Sequence, residues 1–167
     1  MSDMGTKGFT LIEVLIIIAI VGILTTIAVM NFSGIIDSYK ARGAASQLYS
    51  EMQMARLRAI KEGKAYALEF VGTQYCIKSC ATCKESDDWD TGCDIGGEDT
   101  VDTIIKTIDM SSDYSGINFC DSSRAAFYPN GTGSGGGVII YKGAKYQKVY
   151  ISSKGTGNIR IVTAACP

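Results

Sequence analysis

The residues with the greatest chemical potential in this 167-residue chain are its six cysteines and a cluster of acids lying among them. Cys76, Cys80, Cys83 and Cys93 are spaced x3, x2 and x9, and Cys120 and Cys166 follow. Four thiolates at such spacing invite a zinc or iron–sulfur site. A lone Cys-x2-Cys is a weak signal, however, and the second pair does not repeat it. In an exported chain the same six residues are expected as disulfides, with fifteen connectivities open to them. Mass with and without reductant, together with metal analysis, separates these readings. The run "DDWDTGCDIGGED" has enough carboxylates for calcium but lacks the regular spacing of an EF-hand loop, so solvated acids are the simpler reading. The chain has no histidine. That removes Ser-His-Asp and Cys-His nucleophile systems and imidazole metal ligands. No catalytic set, cofactor or metal is expected.

Charge is uneven along the chain although the net charge is only -1. Between Lys84 and Asp121 there are eleven acids against two bases, Lys84 and Lys106. From Tyr141 onward there are five bases and no acid: Lys142, Lys145, Lys148, Lys154 and Arg160. Two differently charged solvated faces account for this, and the basic one could also attract phosphate.

Those residues need elements to hold them. Val14 to Met30 is a run of seventeen uncharged residues, extended upstream by Phe9, Leu11 and Ile12. At about 1.5 Å per residue, some 20 residues just span a hydrocarbon core of about 30 Å. A membrane helix is expected, because so short a chain could hardly wrap such a segment on all sides. An ordinary secretory signal fits poorly: no small-residue cleavage site follows the apolar run. Glu13 sits at the edge of this run, where a carboxylate is costly unless it is paired or interfacial.

The chain continues in helical character. Ala41, Ala45, Leu48, Met52, Ala55 and Ala59 recur at three- and four-residue steps, a small apolar stripe suited to packing on a sheet. Gly63 is a natural stop. One helix from Phe9 to about Glu62 is therefore expected. Beyond it the period changes. "AYALEFV" alternates, with Tyr66, Leu68 and Phe70 on one side. "TQYCIKSC", "VDTIIKTIDM", "GINFC", the two arms of "RAAFYPNGTGSGGGVIIYKG" and a terminal hairpin turning at Gly155-Thr156-Gly157 read as further strands. The expected fold class is α+β: a long N-terminal α-helix, membrane-spanning in its first half, packed on an antiparallel β-sandwich-like head.

"KGFTLIEVLIIIAIVGILTTIAVMNF" closely resembles the N-terminus of type IV pilins and type II secretion pseudopilins. "FYPNGTGSGGGVII" followed by "VYISSKGTGNIRI" resembles the GspH/FimT branch of that family, on Phe127, Pro129, Gly131, Ser134, Gly135, Gly136 and the strand from Val138. The resemblance covers about residues 7–64 and 127–162. It implies a leader over 1–8, a transmembrane and filament-core helix over 9–32, an amphipathic continuation over 33–63, and a periplasmic head over 64–167 with a Cys- and acid-rich insertion at about 76–100.

The same resemblance implies that a prepilin peptidase cuts between Gly8 and Phe9 and methylates the new Phe9 amine. It implies that Glu13 meets the amine of a neighbouring subunit, neutralising two buried charges and setting the axial register. The partners it implies are other pilins or pseudopilins, the peptidase, an inner-membrane assembly platform and, before assembly, the lipid bilayer. The chain would be a structural minor pilin or pseudopilin at or near a filament tip, not an enzyme. Some relatives of the FimT type bind DNA near a glycine-arginine-x-arginine turn. Here that turn is Gly157-Asn158-Ile159-Arg160, so one arginine is missing and Lys142, Lys145, Lys148, Lys154 and Arg160 would carry any contact. The family usually has a proline where this chain has Met30, which predicts a straighter helix or a bend moved to Gly34 or Gly43.

Overall fold

The structure, a computed structural model, describes residues 8–83, 93, 102–152 and 155–167, with the side chains of 27–33 and 102 outside the description. The leader residues 1–7, Lys154 and most of the acid-rich run fall outside the described residues. The chain divides into two compact units, Met1–Ile36 and Asp37–Pro167.

A single helix, α1, runs over Leu11–Glu62. In the first unit its described side chains from Leu11 to Leu24 are exposed and, apart from Glu13, apolar. Two threonines interrupt that surface and satisfy themselves. Thr25 Oγ1 donates to the Val21 carbonyl at 2.7 Å, and Thr26 Oγ1 donates to Gly22 at 2.8 Å. With the hydroxyls bonded back onto the preceding turn, the polar atoms do not oppose burial of this surface. Among the described residues no helix is long and apolar enough to cross a membrane. The predicted span continues over side chains 27–33, which lie outside the described residues.

In the second unit the helix turns one stripe inward. Ala41, Ala44, Ala45, Leu48, Met52, Ala55 and Ala59 are all buried. Each expected stripe residue is among them, and Ala44 widens the stripe. The alanines let sheet side chains approach the helix closely, while Leu48 and Met52 fill the gaps, each contributing about 1.5–3 kcal/mol by burial. Gly43 does not act there as a break: the Tyr114 ring packs over it, 2.9 Å from where a Cβ would stand. Helix α1 ends at Glu62: the Gly63 N–H makes a last bond to the Ala59 carbonyl at 3.1 Å, and the positive φ of Gly63 (66°) then turns the chain out of the helix.

Two four-stranded antiparallel sheets complete the head. The strands are β1 (Ala65–Val71), β2 (Gln74–Cys80), β3 (Asp102–Asp109), β4 (Asn118–Ser123), β5 (Ala125–Phe127), β6 (Gly137–Lys142), β7 (Lys145–Ile151) and β8 (Ile159–Val162). The first sheet has the order β3-β2-β1-β5 and the second β4-β6-β7-β8. Tyr66, Leu68 and Phe70 point with Tyr75 and Ile77 into one core, shared with Val138, Ile140, Val149 and the helix stripe. On the opposite face of the first sheet, Ala65, Ala67 and Ala126 form a second, small cluster with Cys80 and Cys83.

Two local expectations are corrected. Met110, read as a strand end, begins a short helix α2 (Met110–Asp113), because Asp109 caps it by accepting from Ser111 N at 2.9 Å. The expected insertion at 76–100 begins too early: Cys76 and Cys80 are strand residues of β2.

Candidate processing and assembly site

Gly8, Phe9 and Thr10 precede the helix in non-helical, exposed backbone, and Phe9 is 79% exposed. Helix α1 starts immediately after Thr10 because of a capping box. Thr10 Oγ1 accepts from Glu13 N at 3.3 Å, and Glu13 Oε2 accepts from Thr10 N at 3.5 Å. This reciprocal Ser/Thr-x-x-Glu arrangement satisfies two of the N–H groups that a helix start leaves without partners. Glu13 also complements the positive end of the helix dipole. The sequence signal "TLIE" carries this device, yet reading Glu13 only as a charge in an apolar run misses it.

The consequence is a defined boundary. The Gly8–Phe9 peptide lies ahead of Leu11, outside the helix and exposed. Phe9 stands four residues before Glu13 in the sequence.

The cysteines resolve into three pairs: Cys76–Cys93, Cys80–Cys83 and Cys120–Cys166. The described thiols are all spent in these bonds, which replaces the zinc and iron–sulfur alternatives. Among the described residues no group of three or more Cys, Asp or Glu could hold a metal.

The basic residues of the C-terminal region do not form one unopposed patch. Lys142 pairs with Asp37 at 3.8 Å and donates to the Ser115 carbonyl. Lys148 pairs with Asp121 at 3.1 Å and lies over the Tyr150 ring, 5.9 Å from its centroid. Arg160 sits on edge strand β8 opposite Tyr150, and Lys145 at the β6–β7 turn opposite Lys142. Lys154 lies outside the described residues. Arg56 ties the helix to both glycine loops. Its Nε donates to the Gly131 carbonyl at 3.2 Å, and one terminal nitrogen donates to Thr156 at 3.3 Å.

A long helix with an exposed start and an apolar first stretch, followed by a head of two antiparallel sheets, defines an α+β fold. Residues 3–29 match the prokaryotic N-terminal methylation motif, and residues 44–157 match the family model for type II transport protein GspH. The chain belongs to the GspH family, within the type IV pilin and pseudopilin superfamily. It is 39% identical over 69 residues to the type IV major fimbrial protein FimA of Dichelobacter nodosus, a match covering 40% of this chain and 42% of that protein. The chain thus spans about two-fifths of that relative's length. Among solved structures it resembles the minor pseudopilin EpsH of the type 2 secretion system of Vibrio cholerae (12% identity, 74% of this chain and 97% of that chain, TM-score 0.47). It also resembles the type IV minor pilin FimU of Pseudomonas aeruginosa strain PAO1 (14% identity, 73% and 87%, TM-score 0.49).

Proposed function

We propose that this chain is a structural minor pilin or pseudopilin. A prepilin peptidase cuts it between Gly8 and Phe9 and methylates the Phe9 amine. The first half of α1 holds it in the inner membrane as a single pass with the head in the periplasm. It then enters a type II secretion pseudopilus or a type IV pilus, at or near the tip, through contacts of its helix with those of other subunits. Glu13 meets the amine of a neighbouring subunit there. The observation that carries this reading is the capping box of Thr10 and Glu13, which leaves Gly8 and Phe9 exposed and non-helical.

Burial in a filament suits the chain chemically. The apolar surface of the first unit is covered by lipid before assembly and by other helices after it. The carboxylate loses water on the same path, which is tolerable only with a cationic partner. The alternative of a DNA-binding minor pilin is not adopted, because Lys142 and Lys148 already face Asp37 and Asp121. A salt-dependent DNA shift with the full chain would reinstate it.

The experiment is co-expression with a prepilin peptidase, followed by mass measurement of the N-terminal peptide. The expected product begins at methylated Phe9. A chain left uncut, or cut elsewhere, would contradict the proposal.

A further inference from the structure

We propose that the pocket between helix α1 at Ser38–Arg42 and the β6–β7 turn binds the phosphate of an anionic phospholipid headgroup. This rests on the reading that residues 9–32 lie in the inner membrane. Three pieces of chain build the pocket. Ser38, Ala41 and Arg42 stand at i, i+3 and i+4 on α1 and so share one face. Ala41 is buried beneath, whereas Arg42 is exposed. Opposite them, the β6–β7 turn is pressed onto the helix. Lys142 pairs with Asp37 at 3.8 Å, and Asp37 Oδ2 lies 3.3 Å from where a Cβ on Gly143 would stand. That contact carries Lys145 to the side of the pocket facing Arg42. The third wall is the segment from Thr163 to Ala165, held by the Cys120–Cys166 bond one residue further on. The open volume is about 400 Å³. Small-molecule pockets run from about 300 to 1,000 Å³.

The charge of the lining has one sign. Arg42 and Lys145 are its two charged residues, and no acid lines it. Among the described residues neither has a hydrogen bond or an ion pair. The neighbouring bases differ. Lys40 donates to the Ser115 hydroxyl, Lys142 faces Asp37 and Lys148 faces Asp121. The nearby acid Asp37 is thus already turned to a cation outside the lining. A guanidinium fork suits two phosphate oxygens, and an ammonium suits a third as a point charge. The hydroxyls of Ser38 and Thr163 add two further donors.

Position along the chain favours a lipid over a soluble anion. Ser38 follows the membrane segment by six residues. Six residues reach at most about 20 Å even when fully extended, so the pocket stays near the bilayer surface however the chain bends there. Tyr39, next to Ser38, is 73% exposed, and Tyr146 lines the pocket with its ring stacked on Tyr141 at 5.7 Å. Tyrosine is enriched at the membrane–water boundary, where its ring and its hydroxyl meet different surroundings. Anionic lipids attract Lys and Arg held close to a membrane segment. The bound headgroup fixes the head against the leaflet, and it is given up when the helix leaves the bilayer.

The test is native mass spectrometry of the full chain released from detergent. It is titrated with phosphatidylglycerol and, separately, with phosphatidylcholine of the same acyl chains. One phosphatidylglycerol should be held at least about tenfold more tightly than phosphatidylcholine. Arg42→Gln and Lys145→Gln should each weaken it about fivefold. Arg42→Lys should keep most of the affinity, and Lys106→Gln, on β3 outside the pocket, should keep all of it. Equal retention of the two lipids, or unchanged affinity in both Gln variants, would overturn the proposal. Displacement by an equal concentration of inorganic phosphate would also overturn it, assigning the pocket to a soluble anion. Alkaline carbonate extraction separates this from the underlying reading. Release of the chain from membranes would fail the anchor and the proposal together, whereas a retained chain without lipid preference fails the pocket alone.

Discussion

Cys120 and Cys166 join the two edges of the second sheet. Cys120 lies on edge strand β4, and Cys166 follows edge strand β8, with β6 and β7 between them. The bond closes a 46-residue separation across the whole sheet, with Cα atoms 6.1 Å apart. It therefore ties down the C-terminal segment, which otherwise leaves β8 without a ladder to follow.

Chain-entropy reasoning ranks the three bonds at about 4, 3 and 2 kcal/mol for Cys120–Cys166, Cys76–Cys93 and Cys80–Cys83. Replacing both cysteines of a pair by serine should lower stability in that order, measured by thermal melts of the oxidised variants. Equal losses from the longest and the shortest loop would contradict the clamp.

Gly136 is a site where only glycine fits. Its φ is +88°, and a Cβ there would run into the backbone carbonyl of Arg124. Neither atom can yield without disturbing the ladder of β4 and β6. Gly136→Ala should destabilise the head by about 3 kcal/mol or more, seen as a lower melting temperature or loss of soluble head. A melt unchanged within a degree would show that the loop tolerates another path.

Much of this architecture could be read in the residues, because its signals are local. The helix from Leu11 to Glu62 follows from an apolar run, a small-residue stripe and Gly63. The alternation in "AYALEFV" put Tyr66, Leu68 and Phe70 on one side of a strand, the side that the structure turns to the core. What escaped was long-range or doubly determined. Nothing near Cys120 announces Cys166 as its partner, nor that β4 leaves β3 to pair with β6. Met110 continues a strand-like run, but Asp109 beside it supplies a helix cap that ends the strand. Gly43 was read only as one of two places for a bend if the helix was not straighter, and its missing side chain makes room for Tyr114, 71 positions away in sequence. Glu13 drew attention for its charge, and its bond to Thr10 went unread.

Asp109 predicts an acid response. Its carboxylate accepts from the side chain and backbone of Ser111 and from Gln74 and Thr73, and these bonds hold its pKa below the usual carboxylate range. A carboxyl with a depressed folded pKa stabilises the fold above its unfolded pKa, roughly 4, and loses that contribution as pH falls toward the folded value. Asp109→Asn should be less stable than the parent at neutral pH, with the difference shrinking below about pH 4. Denaturant titrations at pH 7 and pH 3 check this. A gap that widens on acidification would show the sign to be wrong.

The central claim is that the Glu13 charge, beyond its capping bond, admits the subunit to a filament. Glu13→Gln tests this most directly, because the amide oxygen can still accept from Thr10 N while the charge is gone. Glu13→Ala removes both. The measurement is the amount of cut, methylated subunit recovered in purified filaments, relative to the amount in membranes. Both variants should be processed at Phe9, and both should fall by about tenfold or more in filaments, the scale expected for an uncompensated buried amine. Wild-type incorporation of Glu13→Gln, with Glu13→Ala alone excluded, would contradict the account and leave Glu13 as a helix cap.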